Sequence, residues 1–370
     1  MPMPYADRPT KQGAARVRTV PDPDILDVAL VIPLSGSAGL FGPSSELCAQ
    51  LAVEEINTGE GLLGKQVRLT VVDGARLPGS VADEVDRLIS AGAVSALVGW
   101  HISAVRQALV PRIADRVPYF YTAVYEGGET APGVFLTGET PQRQILPSLK
   151  WMAREFGVRR WTIVGNDYVW PRQSADAAHR YMSACGGEVV AETFVPLGTT
   201  DFRSTLRGVE SSTCDAVLMF LVGSDAVHFN RQFAAAKLDQ RCLRLSPLME
   251  ENMLLATGAA NTRGVFTAAG YFASLGTAGS VGFEKRYTAK YGASAPVLNS
   301  PGESCYEGMR LLTELVQRAG STATTAVSGV ADQARYQGPR GEVRLCGGHL
   351  DQTIYLAEAK GLDFEIVSSL

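Results

Sequence analysis

Trp161-Thr162-Ile163-Val164-Gly165-Asn166-Asp167-Tyr168-Val169-Trp170-Pro171-Arg172 is the stretch from which the fold can be read. Residues 161–164 form a short apolar run that reads as a strand. Gly165 opens a turn and Pro171 stands near the first position of a helix, which is the layout of a β-to-α junction. Tyr168 and Trp170 sit on the loop between them, where the carboxyl end of a parallel strand opens and α/β proteins bind ligands. Two rings spaced i and i+2 have two readings there. They wall a ligand, or they cap a local core, as aromatic side chains commonly do.

The same unit recurs on both sides. A strand at 25–32 ends in Pro33-Leu34-Ser35-Gly36-Ser37 and leads to a helix from about Pro43. A strand at 67–72 precedes a helix at 81–90. A strand at 95–98 runs into Gly99-Trp100-His101-Ile102-Ser103 and a helix at 104–114. One at 118–121 ends in Tyr121-Thr122-Ala123-Val124-Tyr125-Glu126-Gly127. Further strands are expected at 189–193, 216–221, 243–246 and 265–268, with long helices near 280–291 and 302–319. The tail from Tyr336 reads as strands at 341–345, 353–358 and 364–367. Alternation of this kind means α/β architecture with parallel sheets and right-handed crossovers.

At 370 residues the chain is too long for one ordinary core, so two lobes are expected. A net charge of −4 argues against nucleic acid or an anionic membrane surface as partner. No run approaches the roughly 20 apolar residues of a membrane span. Residues 1–19 carry Arg8, Lys11, Arg16 and Arg18 but no apolar run, and 1–24 read as a flexible tail. The expected compartment is therefore cytoplasmic, or extracytoplasmic if a signal was trimmed. The six cysteines form no Cys-x-x-Cys, so neither a zinc site nor a disulfide framework is expected, and no cofactor. Free thiols lean toward a reducing compartment. Gly-x-Ser-x-Gly, P-loop and His-Glu-x-x-His patterns are all missing. Hydrolysis would need an activated nucleophile with a base beside it. The expectation is a non-catalytic binding protein; an oligomeric scaffold with an empty cleft is a further option.

Over residues 25–370 the chain resembles the type I periplasmic-binding-protein fold, in its leucine/amide/urea-binding branch. The resemblance rests on Val31-Ile32-Pro33-Leu34-Ser35-Gly36, Gly99-Trp100-His101-Ile102-Ser103 with Arg106 and Pro111, Tyr121 with Tyr125-Glu126-Gly127, and the opening stretch. Glu250-Glu251, Tyr271-Phe272 and Gln337-Gly338-Pro339-Arg340-Gly341 follow in the family's order. It implies two Rossmann-like lobes joined by a three-crossover hinge. Lobe one takes 25–140 and 265–322; lobe two takes 141–264 and 323–370. It also implies a small polar organic ligand (a short amide, a urea derivative or an amino acid) bound for ABC-type uptake or sensing. The further partners implied are an ABC permease or a regulatory protein, with a homodimer as self-association. The alternative role is a cytoplasmic amide sensor of an amidase-type operon.

The ligand-binding residues so implied are Ser35, His101, Ser103, Tyr121, Ala123, Tyr168, Trp170, Glu250 and Tyr271. A Ser103 hydroxyl can both donate and accept, as an amide requires; it is equally placed to cap the following helix. His101 reads as a neutral hydrogen-bonding wall residue. Glu250 and Glu251 either meet a ligand ammonium or sit at a helix start, where the macrodipole favours carboxylates. Asp167 reads as an organiser of its own loop. His101, Trp170 and Ala123 depart from residues common in the family and argue against simple acetamide specificity.

Overall fold

The computed structural model describes residues 22–370; residues 1–21 of the expected tail lie outside the described residues. The described chain carries strands β1 (Ile25–Ile32), β2 (Gln66–Asp73), β3 (Ala96–Gly99), β4 (Tyr119–Tyr121), β5 (Val134–Leu136), β6 (Arg160–Asn166), β7 (Glu188–Val195) and β8 (Ala216–Phe220). After these come β9 (Leu243–Ser246), β10 (Val265–Ala269), β11 (Arg335–Gly338), β12 (Gly341–Cys346), β13 (His349–Asp351), β14 (Tyr355–Lys360) and β15 (Asp363–Ser369). They form two sheets, ordered β11-β12-β13-β5-β4-β3-β1-β2 and β15-β14-β10-β9-β8-β6-β7. Central strands such as β3 and β8 are buried at every position, whereas the edge strand β7 is not. That is the pattern of parallel strands covered on both faces. The two-lobed α/β architecture holds, and the sheets are mixed. β11–β12–β13 and β10–β14–β15 pair antiparallel, and the other pairs are parallel.

The expected lobe boundaries need two corrections. Residues 265–269 stay in the second sheet, because β10 pairs with β9 in parallel (Val265 against Arg244). The crossover follows that strand instead of preceding it. Residues 335–351 belong to the first sheet, where His349 of β13 pairs with Leu136 of β5. Only β14 and β15 return to the second lobe. The chain therefore crosses between sheets after β5, after β10 and after β13.

One buried arginine ties these crossings together. Arg340 donates from Nε to Glu303 and from Nη2 to Ser304. Its Nη1 donates to Gln352 Oε1 at 2.7 Å and to the Thr137 carbonyl at 3.4 Å, with Glu139 Oε1 at 3.5 Å. Glu139 Oε1 in turn accepts from Gly270 N at 2.7 Å. Thr137 and Glu139 follow β5, Gly270 follows β10 and Gln352 follows β13. Burial pushes the Glu303 carboxyl's pKa up and the neighbouring Glu307 adds to it, while Arg340 opposes both.

The long helix Ser300–Ala319 starts on an Asn299 cap that accepts from Gly302 N at 2.8 Å. Gly308 lets this helix lie flat on the first sheet. A Cβ there would fall 2.5 Å from Thr122 Cγ2 and 3.0 Å from Val98 Cγ1. The lobes themselves meet at Gly223 and Ser37. Gly223 has φ +52°, and a Cβ on it would lie 1.9 Å from the Ser37 carbonyl oxygen. Among the described residues no helix is long and apolar enough to cross a membrane.

Candidate ligand-binding site

The loops at the carboxyl ends of β3, β4, β6 and β8 face one another across the cleft. On the lobe-one wall, His101 is fully buried. Its Nδ1 lies 3.3 Å from the Ile102 carbonyl and its Nε2 lies 2.8 Å from Tyr119 Oη. A carbonyl only accepts, so Nδ1 carries the proton and Nε2 accepts from the tyrosine. Burial, together with the Arg106 charge, pulls its pKa down to about 3. The ring is neutral, and its backbone carbonyl accepts from Tyr121 Oη at 2.8 Å.

Ser103 begins the helix Ser103–Ile113, but its side chain makes no cap. Its Oγ donates to Glu126 Oε2 at 2.6 Å instead. Glu126 Oε1 accepts from Arg106 Nη2 at 2.7 Å. The Arg106 guanidinium lies 5.3 Å from the Tyr121 ring centre and 5.0 Å from that of Tyr125, within cation–π range. Arg106 is 3% exposed, and its Nη1 has no hydrogen-bond partner among the described residues. Tyr125 is held from the tail of the chain. His349 Nε2 donates to the Glu129 carbonyl at 3.1 Å, and its Nδ1 accepts from Tyr125 Oη at 2.6 Å. An open cavity of about 660 Å³ reaches Tyr125 and Glu126 from outside, passing Arg143, Arg180 and His349.

On the lobe-two wall, Tyr168 precedes the helix Val169–Ala184 and is half-buried. Burial raises its hydroxyl's pKa, and Tyr121, Glu126 and Asp225 add to the effect. Those three groups come from both lobes. Trp170 is placed differently. It shares a buried helix face with Ser174, Ala178 and Met182, and its ring meets Phe220 edge-on at 5.7 Å. Asn166, at the end of β6, donates from Nδ2 to Asp225 Oδ2 at 2.7 Å and accepts from Val222 N at 2.8 Å. Gly198 N also donates to Asp225 Oδ2, at 2.8 Å. Asp225 is 1% exposed, and its Oδ1 has no partner among the described residues. It stands two residues beyond Gly223, where the lobes touch.

The remaining expected residues are scattered. Ser35 is exposed, with its Oγ 3.4 Å from Asp73 Oδ2 at the rim. Ala123 is buried, and its carbonyl packs on Gly138 beside the first crossover. Glu250 caps the helix Glu251–Thr257 by accepting from Asn252 N at 2.9 Å and Met253 N at 2.7 Å. Burial raises its carboxyl to about 7. Tyr271 packs edge-on against Phe283 at 6.0 Å. The structure thus gathers His101, Ser103, Tyr121 and Tyr168, and sets Ser35, Ala123, Trp170, Glu250 and Tyr271 in other surroundings. It adds Arg106, Glu126, Asn166 and Asp225. Of these, Arg106, Glu126 and Asn166 stood inside quoted motifs, and Asp225 lay just beyond the expected strand at 216–221. Among the described residues no cluster of His, Cys, Asp and Glu is set to hold a metal.

Two α/β lobes closing a polar, ring-lined cleft over facing loops define a solute-binding protein. Residues 26–363 match the family model described as periplasmic binding protein, and the chain belongs to that family. It is 25% identical over 351 residues to the Leu/Ile/Val-binding protein homolog 6 of Brucella melitensis, spanning 92% of this chain and 89% of the relative. Among solved structures it resembles an R. palustris ABC-transporter solute-binding protein in complex with benzoate. There the TM-score is 0.82 and the identity 22%, with 93% of this chain and 96% of the other covered. It also resembles a leucine-binding protein of Thermotoga maritima, with a TM-score of 0.81 and 19% identity, covering 93% and 98%. Likeness at those identities concerns the fold. Branched-chain amino-acid binders thus stand among its relatives by name, whereas the amide and urea specificity implied by the resemblance finds no counterpart in them.

Proposed function

We propose that the chain is the solute-binding component of an ABC-type uptake system and closes over a small zwitterionic ligand of the α-amino-acid class. The observation that carries this reading is a pair of buried atoms without hydrogen-bond partners among the described residues, on groups of opposite charge, one in each lobe; Arg106 is otherwise ion-paired with Glu126 and Glu129. Arg106 Nη1 is unpaired in lobe one and Asp225 Oδ1 in lobe two. A buried polar group without a partner costs about 1–3 kcal/mol, and more if it is charged. A ligand with a carboxylate at one end and an ammonium at the other removes both penalties at once. It gains them only when the walls approach, which gives closure the differential affinity that a population shift requires. A short amide or urea derivative is neutral and offers neither atom a charged partner. The names of the curated relatives point toward the same class. No observation favours an amide-sensing regulator over uptake.

Leucine, leucinamide and 4-methylpentanoate form the test, since each derivative lacks one charged end. Leucine at a hundred times its Kd should add about 2.7 kcal/mol of stability. Each derivative should bind at least about 30-fold more weakly, the scale of about 2 kcal/mol. Asp225→Asn, which keeps an amide oxygen for Asn166 and Gly198, should abolish the preference for leucine over 4-methylpentanoate. Equal binding of all three compounds, or of none, overturns the amino-acid reading. A wider panel of aromatic carboxylates, amides and urea would then find the class.

A further inference from the structure

We propose that Cys214 and Cys242 form an intramolecular disulfide when the chain meets a disulfide oxidant. The two Sγ atoms lie 3.5 Å apart, and both side chains are buried. Cys214 stands two residues before β8 and Cys242 directly before β9, and these strands are parallel neighbours with Ala216 against Leu243. The backbone on both sides is pinned. Leu243 N donates to the Asp215 carbonyl at 3.0 Å and Cys242 N to the Leu238 carbonyl at 3.0 Å. Asp215 N donates to the Arg160 carbonyl at 2.8 Å, and Asp215 Oδ2 accepts from Arg159 N and Arg160 N at 2.9 and 2.8 Å. The sulfurs therefore cannot drift apart by strand slippage. Bonding needs them to approach to about 2.05 Å, a movement of about 1.5 Å that side-chain rotation supplies.

The pair is also chemically asymmetric. A hydrogen bond from Cys242 pulls the Cys214 thiol down to about 6 against the opposing effect of burial, and the same contact pushes Cys242 up. Cys214 is the attacking thiolate. It displaces one thiolate from an external disulfide and forms a mixed disulfide. Cys242 then loses its proton to solvent and attacks the Cys214 sulfur, expelling the second thiolate. Two protein thiols are oxidised, and the external disulfide is reduced to two thiols. The pair sits at the amino ends of β8 and β9, whereas the ligand cleft lies at the carboxyl ends. The bond therefore braces the second lobe's sheet without altering the site.

The full chain is refolded in a mixture of oxidised and reduced glutathione, then alkylated and digested for mass spectrometry. A cross-linked peptide joining Cys214 to Cys242 is expected, with free thiols falling from six to four. Hydrogen exchange across 214–243 should slow, and ligand affinity should stay within about twofold, because no site residue moves. Cys214→Ser should restore an alkylatable Cys242; Cys242→Ser serves if that variant does not fold. Cys48→Ser, away from the pair, should leave the cross-link intact. Full alkylation of Cys214 and Cys242 after oxidation, or cross-links of either to another cysteine, overturns the proposal.

Discussion

Arg106 and Arg340 are both buried against glutamates, yet they have opposite hydrogen-bond accounts. Arg340, at the hinge, has its donors engaged by Glu303, Ser304, Gln352 and the Thr137 carbonyl. Arg106, at the cleft, spends Nη2 on Glu126 and lies against two tyrosine rings, while Nη1 stays unpaired among the described residues. A saturated buried ion pair fixes geometry; removing one partner leaves a stranded charge. An unsaturated one holds binding energy in reserve for a ligand. The hinge cluster thus ties the three crossings together, and under the proposed function the cleft cluster supplies a reason for the lobes to close.

The largest effect should come from the saturated side. Arg340→Met strands Glu303 and Glu139 and cuts the link between the three crossings. It should cost about 3–5 kcal/mol of unfolding free energy in urea titrations. A loss below about 1 kcal/mol would show that the carboxylates neutralise themselves, and the contrast with Arg106 would collapse.

A third buried carboxylate sharpens the contrast, because none of the groups shifting it is a cation. Burial raises Glu251 to about 8, and the charges of Glu250 and Asp363 push the same way, against hydrogen bonds from backbone amides, that of Ala273 at 2.7 Å among them. In the unfolded chain a glutamate titrates near 4.3. Between these values the folded state holds a proton that the unfolded state has lost. Stability therefore falls as pH rises, by at most about 1.4 kcal/mol per pH unit. Glu251→Gln keeps an acceptor for Ala273 and removes the titration. Over pH 5 to 7 the wild-type should lose up to about 2.7 kcal/mol more than the variant. Parallel pH profiles would mean that Glu251 stays ionised in the fold.

The difference between saturated and open charges was invisible along the chain. The strands were legible because apolar runs bounded by Gly and Pro carry their own signal: β1 was read at 25–32 and β9 at 243–246, as found. The strand β5 was missed because three residues, Val134–Leu136, show no period. The lobe of β10 was misread because a strand's sheet is set by its neighbour and not by the helix that follows it. In the candidate site, the loops at strand ends were legible, and His101, Ser103, Tyr121 and Tyr168 were named on them, where the structure brings those four together. The partners that give them meaning are distant in sequence. Ser103 meets Glu126 across 23 residues, and Asn166 meets Asp225 across 59. Glu250 and Asp225 are both acids at helix starts. Only the hydrogen bonds show that one is a cap and the other an open acceptor.

The smallest expected effects separate the two rings from which the fold was read. Tyr168 is half-buried, with groups of both lobes acting on its hydroxyl. Trp170, two residues on, is 2% exposed and packs on Phe220 within its own lobe. Tyr168→Phe keeps the ring and removes one hydroxyl. It should weaken ligand binding by about 1 kcal/mol, the net worth of one hydrogen bond, and leave the melting temperature unchanged. Trp170→Phe keeps an aromatic contact with Phe220 but empties part of a packed volume. It should cost about 1 kcal/mol of stability and leave affinity unchanged. Calorimetric titration and thermal melts on the two variants make a crossed test, because each assay should respond to only one substitution. If Trp170→Phe weakens binding while the melt stays put, the ring reaches the ligand. The helix face it shares with Ala178 and Met182 would then be a wall of the cleft, and the division between open and packed side chains would have to be redrawn one turn further along.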